Sequence, residues 1–178
     1  VCAAFFALYY LVISLSHPFF ERGLDLALLL TLSSTTTVSA FLIWRRLATP
    51  LSLPRMELAA LVLFGLPLAN VVAQQLVLFE PLKLVYFVIL ALAFAISAPT
   101  RRVGYSCALA AMVALVVMAG DVASGDLVGG YVYVGLAGLF AGVGISQIMR
   151  GAFLREIRAR LAAEELNQAL RRELSRNL

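Results

Sequence analysis

Six apolar runs, separated by short segments rich in proline, glycine or charge, dominate the hydrophobic pattern of the chain. The runs fall at roughly 1–16, 24–44, 57–79, 82–98, 103–120 and 129–149. A helix needs about 20 residues to cross a bilayer, and helices satisfy their own backbone hydrogen bonds in lipid. The alternating pattern of barrel strands is missing from the sequence. We therefore predict an all-α, polytopic membrane protein with a bundle of six transmembrane helices.

Composition supports this prediction. Of the 178 residues, 62% are hydrophobic and 13% are charged, and the mean hydropathy is +0.96. Soluble domains are about 45–50% apolar and about 25% charged, so an ordinary soluble domain is excluded. Cys2 and Cys107 lie inside apolar runs, where thiols behave as small hydrophobes, and no disulfide framework is predicted. The first run lacks a basic leader and the last segment lacks helix-ending punctuation, so we expect the natural chain to continue at both ends.

Basic residues lie almost entirely on one side of the predicted path. Twelve arginines share that side: Arg45, Arg46, Arg55, Arg101, Arg102, Arg150, Arg155, Arg158, Arg160, Arg171, Arg172 and Arg176. The opposite side holds only Arg22 and Lys83. Because cytoplasmic loops carry the excess of Lys and Arg, we predict that both ends of the chain are cytoplasmic. The expected location is a bacterial inner membrane, crossed several times.

An acidic rim occupies the opposite side. Its members are Glu21, Asp25, Glu80, Asp121 and Asp126, together with His17. All of them except Glu80 are candidate ligands of a hard or borderline cation, although acidic outer loops are common in membrane proteins. A single histidine excludes a bis-histidine haem within one chain. We predict no metal and no cofactor.

The third run, ELAALVLFGLPLANVVAQQLVLF, holds the most polar groups at membrane depth. Pro67 removes a backbone hydrogen bond, and Asn70, Gln74 and Gln75 follow within about two turns. One interpretation is a ligand pocket beside a kink, formed by these four residues. The other is interhelical hydrogen bonding that holds the bundle together. A small hydrophobic ligand fits amide groups set in an apolar wall.

The hydroxyls of the second run and the glycines of the sixth run predict how the helices pack. The second run carries hydroxyls at positions 33–37 and 39, which permit either close packing or a polar pathway. In the sixth run Gly138 and Gly142 have GxxxG spacing, which predicts close approach to another helix of the same chain or of a second copy.

From Arg150 onward the composition changes to RGAFLREIRARLAAEELNQALRRELSRNL, which is rich in good helix formers. We predict two regions, a transmembrane domain over 1–149 and a cytoplasmic helix over 150–178 that continues the sixth crossing. An apolar stripe follows this helix: Leu154, Ile157, Leu161, Leu166, Leu170 and Leu174. The stripe predicts a parallel coiled coil whose register drifts near Glu164 and Glu165. A helix lying on anionic lipid and a solvated tail are the alternatives.

The segment REIRARLAAEELNQALRRELSRNL, which follows a bundle without an ectodomain, resembles the signalling helix of bacterial membrane receptors. The resemblance is to sensor histidine kinases first, and similar coils precede diguanylate cyclase and membrane-bound adenylate cyclase domains. It implies a homodimer that passes a stimulus to an output domain or a response regulator outside this chain. No phosphoacceptor histidine, nucleotide-binding glycines or cyclase motif are present, so no catalytic residue is predicted.

The expected function is thus a membrane-embedded sensor and signal-transduction module of a dimeric bacterial receptor. The lipid bilayer and a second copy of the chain are its expected partners, and nucleic acid is not. The alternatives are a regulatory membrane domain of a cyclase and a small transporter or channel. The hydroxyl-rich second run and the kinked third run motivate the transporter.

Overall fold

The computed structural model describes residues 2–120 and 125–176, with the side chains of 2–120 and 129–168. Within these ranges every regular element is helical: α1 Cys2–Phe20, α2 Gly23–Arg46, α3 Leu53–Val77, α4 Val85–Ser97, α5 Arg101–Gly120 and α6 Gly125–Arg176. A 3₁₀ helix, Pro81–Leu84, leads into α4. The prediction of an all-α protein is confirmed.

Five helical segments in the described part are long and apolar enough to cross a membrane: α1, α2, α3, α5 and the stretch Gly129–Gln168 of α6. Their outward faces carry large apolar side chains, such as Leu8 and Val12 of α1 and Val117 of α5, which are about half exposed or more. A soluble monomer rarely exposes such continuous apolar surface. The chain is therefore a membrane protein.

The segment Pro81–Ser97 is shorter than the other apolar helices. It combines 4 residues of 3₁₀ helix with 13 residues of α4. Prolines bound it at both ends, since Pro81 begins it and the extended backbone of Ala98 precedes Pro99. A residue before proline is pushed out of the helical region, which ends α4 at Ser97.

The chain divides into two compact units, Val1–Val143 and Gly144–Leu178. We call them unit 1 and unit 2. Unit 1 contains α1 to α5 and the first part of α6, and unit 2 contains the remainder of α6.

Short connections join the helices of unit 1. Only Glu21 and Arg22 separate α1 from α2, and Gly23 follows with φ of +64°, a left-handed conformation that glycine adopts without strain. At the start of α5 the Thr100 hydroxyl accepts a hydrogen bond from the Val103 backbone N–H at 3.4 Å. The same hydroxyl donates to Glu57 Oε1 of α3 at 2.7 Å, which ties α5 to α3. These turns fold consecutive helices into antiparallel neighbours.

The core of unit 1 is centred on α4, which packs against α3 and α5. Phe94 of α4 is completely buried, and its ring stacks on that of Phe64 of α3 with the centroids 4.6 Å apart. Ala91 and Ala95 of α4 are also completely buried, as is Ala108 of α5. Small side chains let helix backbones approach closely, and in lipid this contact is a main source of helix association.

Candidate functional site

A cavity of about 520 Å³ lies in unit 1 between α1, α3 and α4. Its walls are mostly apolar: Phe5, Phe6, Ile13, Val71, Ile89 and Leu90. Asn70 and Gln74, two of the four residues predicted as a pocket, also line it. A volume of several hundred Å³ with few polar groups is typical of sites for small molecules.

The contacts between helices show which cavity residues lie at the same level. Tyr10 Oη of α1 lies 3.4 Å from the Pro67 carbonyl oxygen of α3. Two hairpin connections separate α1 from α3, so the two helices run in the same direction. Residues seven positions further along each helix are therefore level too, and these are His17 and Gln74. Both line the cavity.

The level of the third wall, which α4 forms, follows from the contact between α4 and α3. Phe94 of α4 stacks on Phe64 of α3, and α4 runs antiparallel to α3. Tyr86, eight residues before Phe94, is therefore close to the level of Gln74. The cavity has a polar end formed by His17, Asn70, Gln74 and Tyr86, while the opposite end is lined by Cys2, Phe5, Phe6, Ile96 and Ser97.

Asn70 is held in position by two hydrogen bonds. Its Nδ2 donates to Thr36 Oγ1 of α2 at 2.6 Å and to the Leu66 carbonyl oxygen at 2.9 Å. Both N–H groups are thereby used, and Oδ1 accepts no hydrogen bond from any residue in the described ranges. The side chain is 7% exposed. Asn70 therefore both joins α3 to α2 and offers an acceptor at the cavity.

Gln74 differs from Asn70 in having no internal role. Its side chain is partly buried in the cavity wall and makes no hydrogen bond within the described part of the chain. The imidazole of His17, 8% exposed, likewise has no hydrogen-bond partner there. Both groups can donate and accept, so the polar end of the cavity keeps unused hydrogen-bonding capacity.

Gln75 and Pro67, the other two predicted pocket residues, do not line the cavity. Gln75 is 2% exposed, and its amide exchanges two hydrogen bonds with the backbone of Glu80, Nε2 to the carbonyl oxygen at 3.2 Å and Oε1 from the N–H at 3.1 Å. Pro67 is completely buried. Gln75 thus closes the end of α3, and Pro67 frees a backbone carbonyl within it.

The hydroxyls of α2 are largely satisfied by their own helix. The Thr35, Thr36 and Thr37 hydroxyls each donate to the carbonyl one turn earlier, at 2.7–2.9 Å. Ser33 Oγ lies 2.9 Å from Ser14 Oγ of α1, and both side chains are buried. These contacts hold α1, α2 and α3 together around the polar end of the cavity.

Three glycines of α6 in unit 1, Gly135, Gly138 and Gly142, face α4 or α5. A Cβ on Gly138 would lie 2.7 Å from Val88 Cγ1, and one on Gly142 would lie 3.1 Å from Leu92 Cδ1. Gly135, which the GxxxG spacing does not include, faces Met112 and Leu115 of α5. Within unit 1 the glycine face thus contacts helices of the same chain.

The predicted cation ligands do not form a cluster in the described part. No group of three or more His, Cys, Asp or Glu side chains there is arranged to hold a metal ion. Asp121 and the side chain of Asp126 lie outside the described residues. His17 is instead part of the cavity wall.

In unit 2 the apolar stripe is exposed. Leu154, Ile157, Leu161 and Leu166 are between 38% and 63% exposed, whereas the side chains of Leu170 and Leu174 lie outside the described residues. Leu161 and Leu166 are five residues apart, so on a straight helix Leu166 lies about 140° around from Leu161. The described stripe therefore changes face between residues 161 and 166.

The hydrogen bond between Asn70 and Thr36 is expected to couple the two side chains energetically. A double-mutant cycle with Asn70→Leu and Thr36→Val should give a coupling energy of about 0.6 kcal/mol, the average for side-chain hydrogen bonds between membrane helices, and at most about 1.7 kcal/mol. The measurement is the free energy of unfolding in mixed micelles. As a control, Thr35→Val removes an exposed hydroxyl that bonds only its own helix, and its coupling to Asn70→Leu should be near zero. Equal coupling in both cycles would contradict the pairing.

In comparisons with known proteins, no family model, no curated protein and no solved structure matches the chain.

Proposed function

We propose that the chain is the membrane-embedded sensor and signal-transduction module of a dimeric bacterial receptor, of the sensor histidine kinase type. The main support for this proposal is α6. It is one helix of 52 residues that includes both an apolar stretch suited to spanning a membrane and a charged, exposed stretch with an apolar stripe. A crossing alone needs about 20 residues. A regulatory membrane domain of a diguanylate or adenylate cyclase shares this arrangement and is the alternative.

The proposed topology has six crossings, with Pro81–Ser97 as the fourth. Its length of 17 residues is at the lower limit for a spanning helix. An even number of crossings puts both ends of the chain on one side, and it puts twelve of the fourteen basic residues on that side too. The positive-inside rule then makes that side cytoplasmic.

A second copy of the chain is the proposed partner of the exposed stripe. Leu154, Ile157 and Leu161 follow a spacing of three and four residues, which is the spacing of a coiled-coil seam. On the flank, Arg160 donates to Glu156 Oε1 at 2.6 Å, an ion pair of opposite charges one turn apart. Mixed charge of this kind suits a helix pair better than the purely basic face of a lipid-bound helix.

The proposed mechanism uses two alternative registers of the paired helices. A stimulus that favours one packing of α3, α4 and α6 would rotate or shift the paired helices and so reach an output domain. The change of stripe between Leu161 and Leu166, next to Glu164 and Glu165, is the element at which two registers can compete.

Disulfide crosslinking tests the dimer. In full-length protein in native membranes, with Cys2 and Cys107 replaced by alanine, Leu161→Cys is expected to form a disulfide-linked dimer on mild oxidation. Disulfides need Cβ atoms about 4 Å apart, which a coiled-coil seam position provides in a parallel dimer. Ala159→Cys is the matched control, because Ala159 is also exposed and lies about 160° around the helix from Leu161.

The outcome at Ala159 decides the interpretation. A silent Ala159→Cys beside a strong Leu161→Cys band supports a parallel pair with a defined seam. Equal bands at both positions would indicate random collision, and no band at either position would remove the paired helix and with it the proposed receptor mechanism.

A further inference from the structure

The cavity of unit 1 is long and has chemically different ends. Its lining on α1 runs from Cys2 to His17, which corresponds to about 22 Å along the helix at 1.5 Å per residue. His17, Asn70, Gln74 and Tyr86 gather at one end, and the remainder is lined mostly by aromatic and aliphatic side chains. Ser97 lies in this remainder too, but its hydroxyl donates to the Ala93 carbonyl oxygen of its own helix at 2.6 Å. A molecule that fills this space must be elongated, with an apolar body and one polar head.

The polar end selects an uncharged head. No Asp, Glu, Lys or Arg side chain belongs to the described cavity lining, so a charged head would lose its hydration without a carboxylate, ammonium or guanidinium partner there. Glu21, which interacts electrostatically with the His17 imidazole, would in addition repel an anionic head. Asn70 Oδ1 is an unused acceptor, and the Gln74 amide and the His17 imidazole can each donate and accept. A hydroxyl, ketone or amide head satisfies these groups.

The cavity also opens sideways. Phe5 and Tyr9 of α1 and Ile89 of α4 line it and are between 42% and 64% exposed. Helix α1 packs on α2, and α4 packs on α3 and α5. Helices α1 and α4 do not pack closely against each other. In a bilayer the opening between α1 and α4 faces lipid, so a hydrophobic molecule can enter from the membrane.

We infer that the cavity binds a single-chain amphiphile with an uncharged hydrogen-bonding head, placed with its head at Gln74 and His17 and its chain toward Phe5 and Phe6. The role of this ligand as the stimulus of a receptor rests on the function proposed above. Binding itself is measured on the chain without any output, so a failure of binding and a failure of dimerisation are separate results.

Photolabelling tests the inference. The probe is a fatty alcohol that carries a diazirine at the end of its alkyl chain, added to the full chain in nanodiscs, with the labelled residues mapped by mass spectrometry. We expect labelling near Phe5, Phe6 and Ile96, competed by the unlabelled alcohol. The same chain with a carboxylate head should label weakly, because its charge finds no partner in the cavity.

Two variants test binding at the cavity, and a third serves as their control. Gln74→Leu removes a side chain without an internal partner, so folding should persist while affinity for the alcohol falls about 3- to 10-fold, the effect of one hydrogen bond. Ala93→Phe fills the cavity and should abolish labelling. Ala110→Phe, the same change on the exposed face of α5, should leave labelling unchanged.

Several results would overturn the inference. Labelling that Ala93→Phe leaves intact would place the probe elsewhere. Labelling that is equal for the alcohol and the carboxylate would show that the polar end does not select a head. Equal labelling by a phospholipid with the same diazirine, not competed by the alcohol, would identify a bilayer lipid chain as the occupant.

Discussion

Replacing Phe94 by alanine is expected to lower the free energy of unfolding by about 3 kcal/mol, the lower end of the range for removal of a buried aromatic side chain. The ring is completely buried and stacks on Phe64 at 4.6 Å between centroids. In a membrane protein the unfolded helices stay in apolar lipid, so little transfer energy is lost. The cost comes from the missing packing contacts and the empty space left behind.

The matched control is Phe140→Ala on α6. This ring is 75% exposed, and its removal should change stability by less than about 0.5 kcal/mol. Unfolding in mixed detergent micelles, followed by circular dichroism, measures both variants. Equal losses for Phe94 and Phe140 would contradict a core centred on α4.

Gly138→Leu is expected to destabilise unit 1 by about 1–3 kcal/mol or more, the cost of inserting atoms into a packed interior. The first added carbon would already lie 2.7 Å from Val88 Cγ1, well inside van der Waals contact. Val88 is β-branched and buried, so its side chain has little freedom to move away. The leucine therefore forces α6 and α4 apart.

Gly130→Leu is the control on the same helix. Gly130 is exposed, and no described atom lies within 4 Å of a Cβ placed there. A leucine at this position should keep the stability of the parent or raise it slightly, since leucine is the better helix former. If Gly130→Leu and Gly138→Leu lower stability equally, the loss is a property of glycine replacement in α6 and not of the contact with Val88.

The helices of this protein could be predicted from sequence because lipid restricts backbone structure so strongly. Long apolar runs must be helical, and the punctuation at Pro81 and at Pro99 marks real boundaries. The fourth run is less simple than its hydropathy suggests. Hydropathy does not reveal that the segment starts as a 3₁₀ helix, because the Pro81 ring and the hydrogen bonds between Gln75 and Glu80 set that turn.

The candidate site was only half accessible to sequence reasoning. Asn70 and Gln74 stand out as amides in an apolar run, and their spacing of four places them on one face. Gln75 carries the same signal but turns toward the backbone of Glu80. Tyr86 and His17 join the site through the packing of α4 and α1, for which no motif exists in the chain.

The sequence by itself determined the class of this protein, its helices and its excess of basic residues at alternate connections, since these depend on local composition and on the demands of lipid. Only the tertiary structure decided which helices enclose the cavity, which amide keeps a free acceptor and which glycines meet α4. Those properties depend on how helices far apart in the chain lie against one another. In an apolar solvent that arrangement is set by shape and by a few hydrogen bonds, such as the one from Asn70 to Thr36.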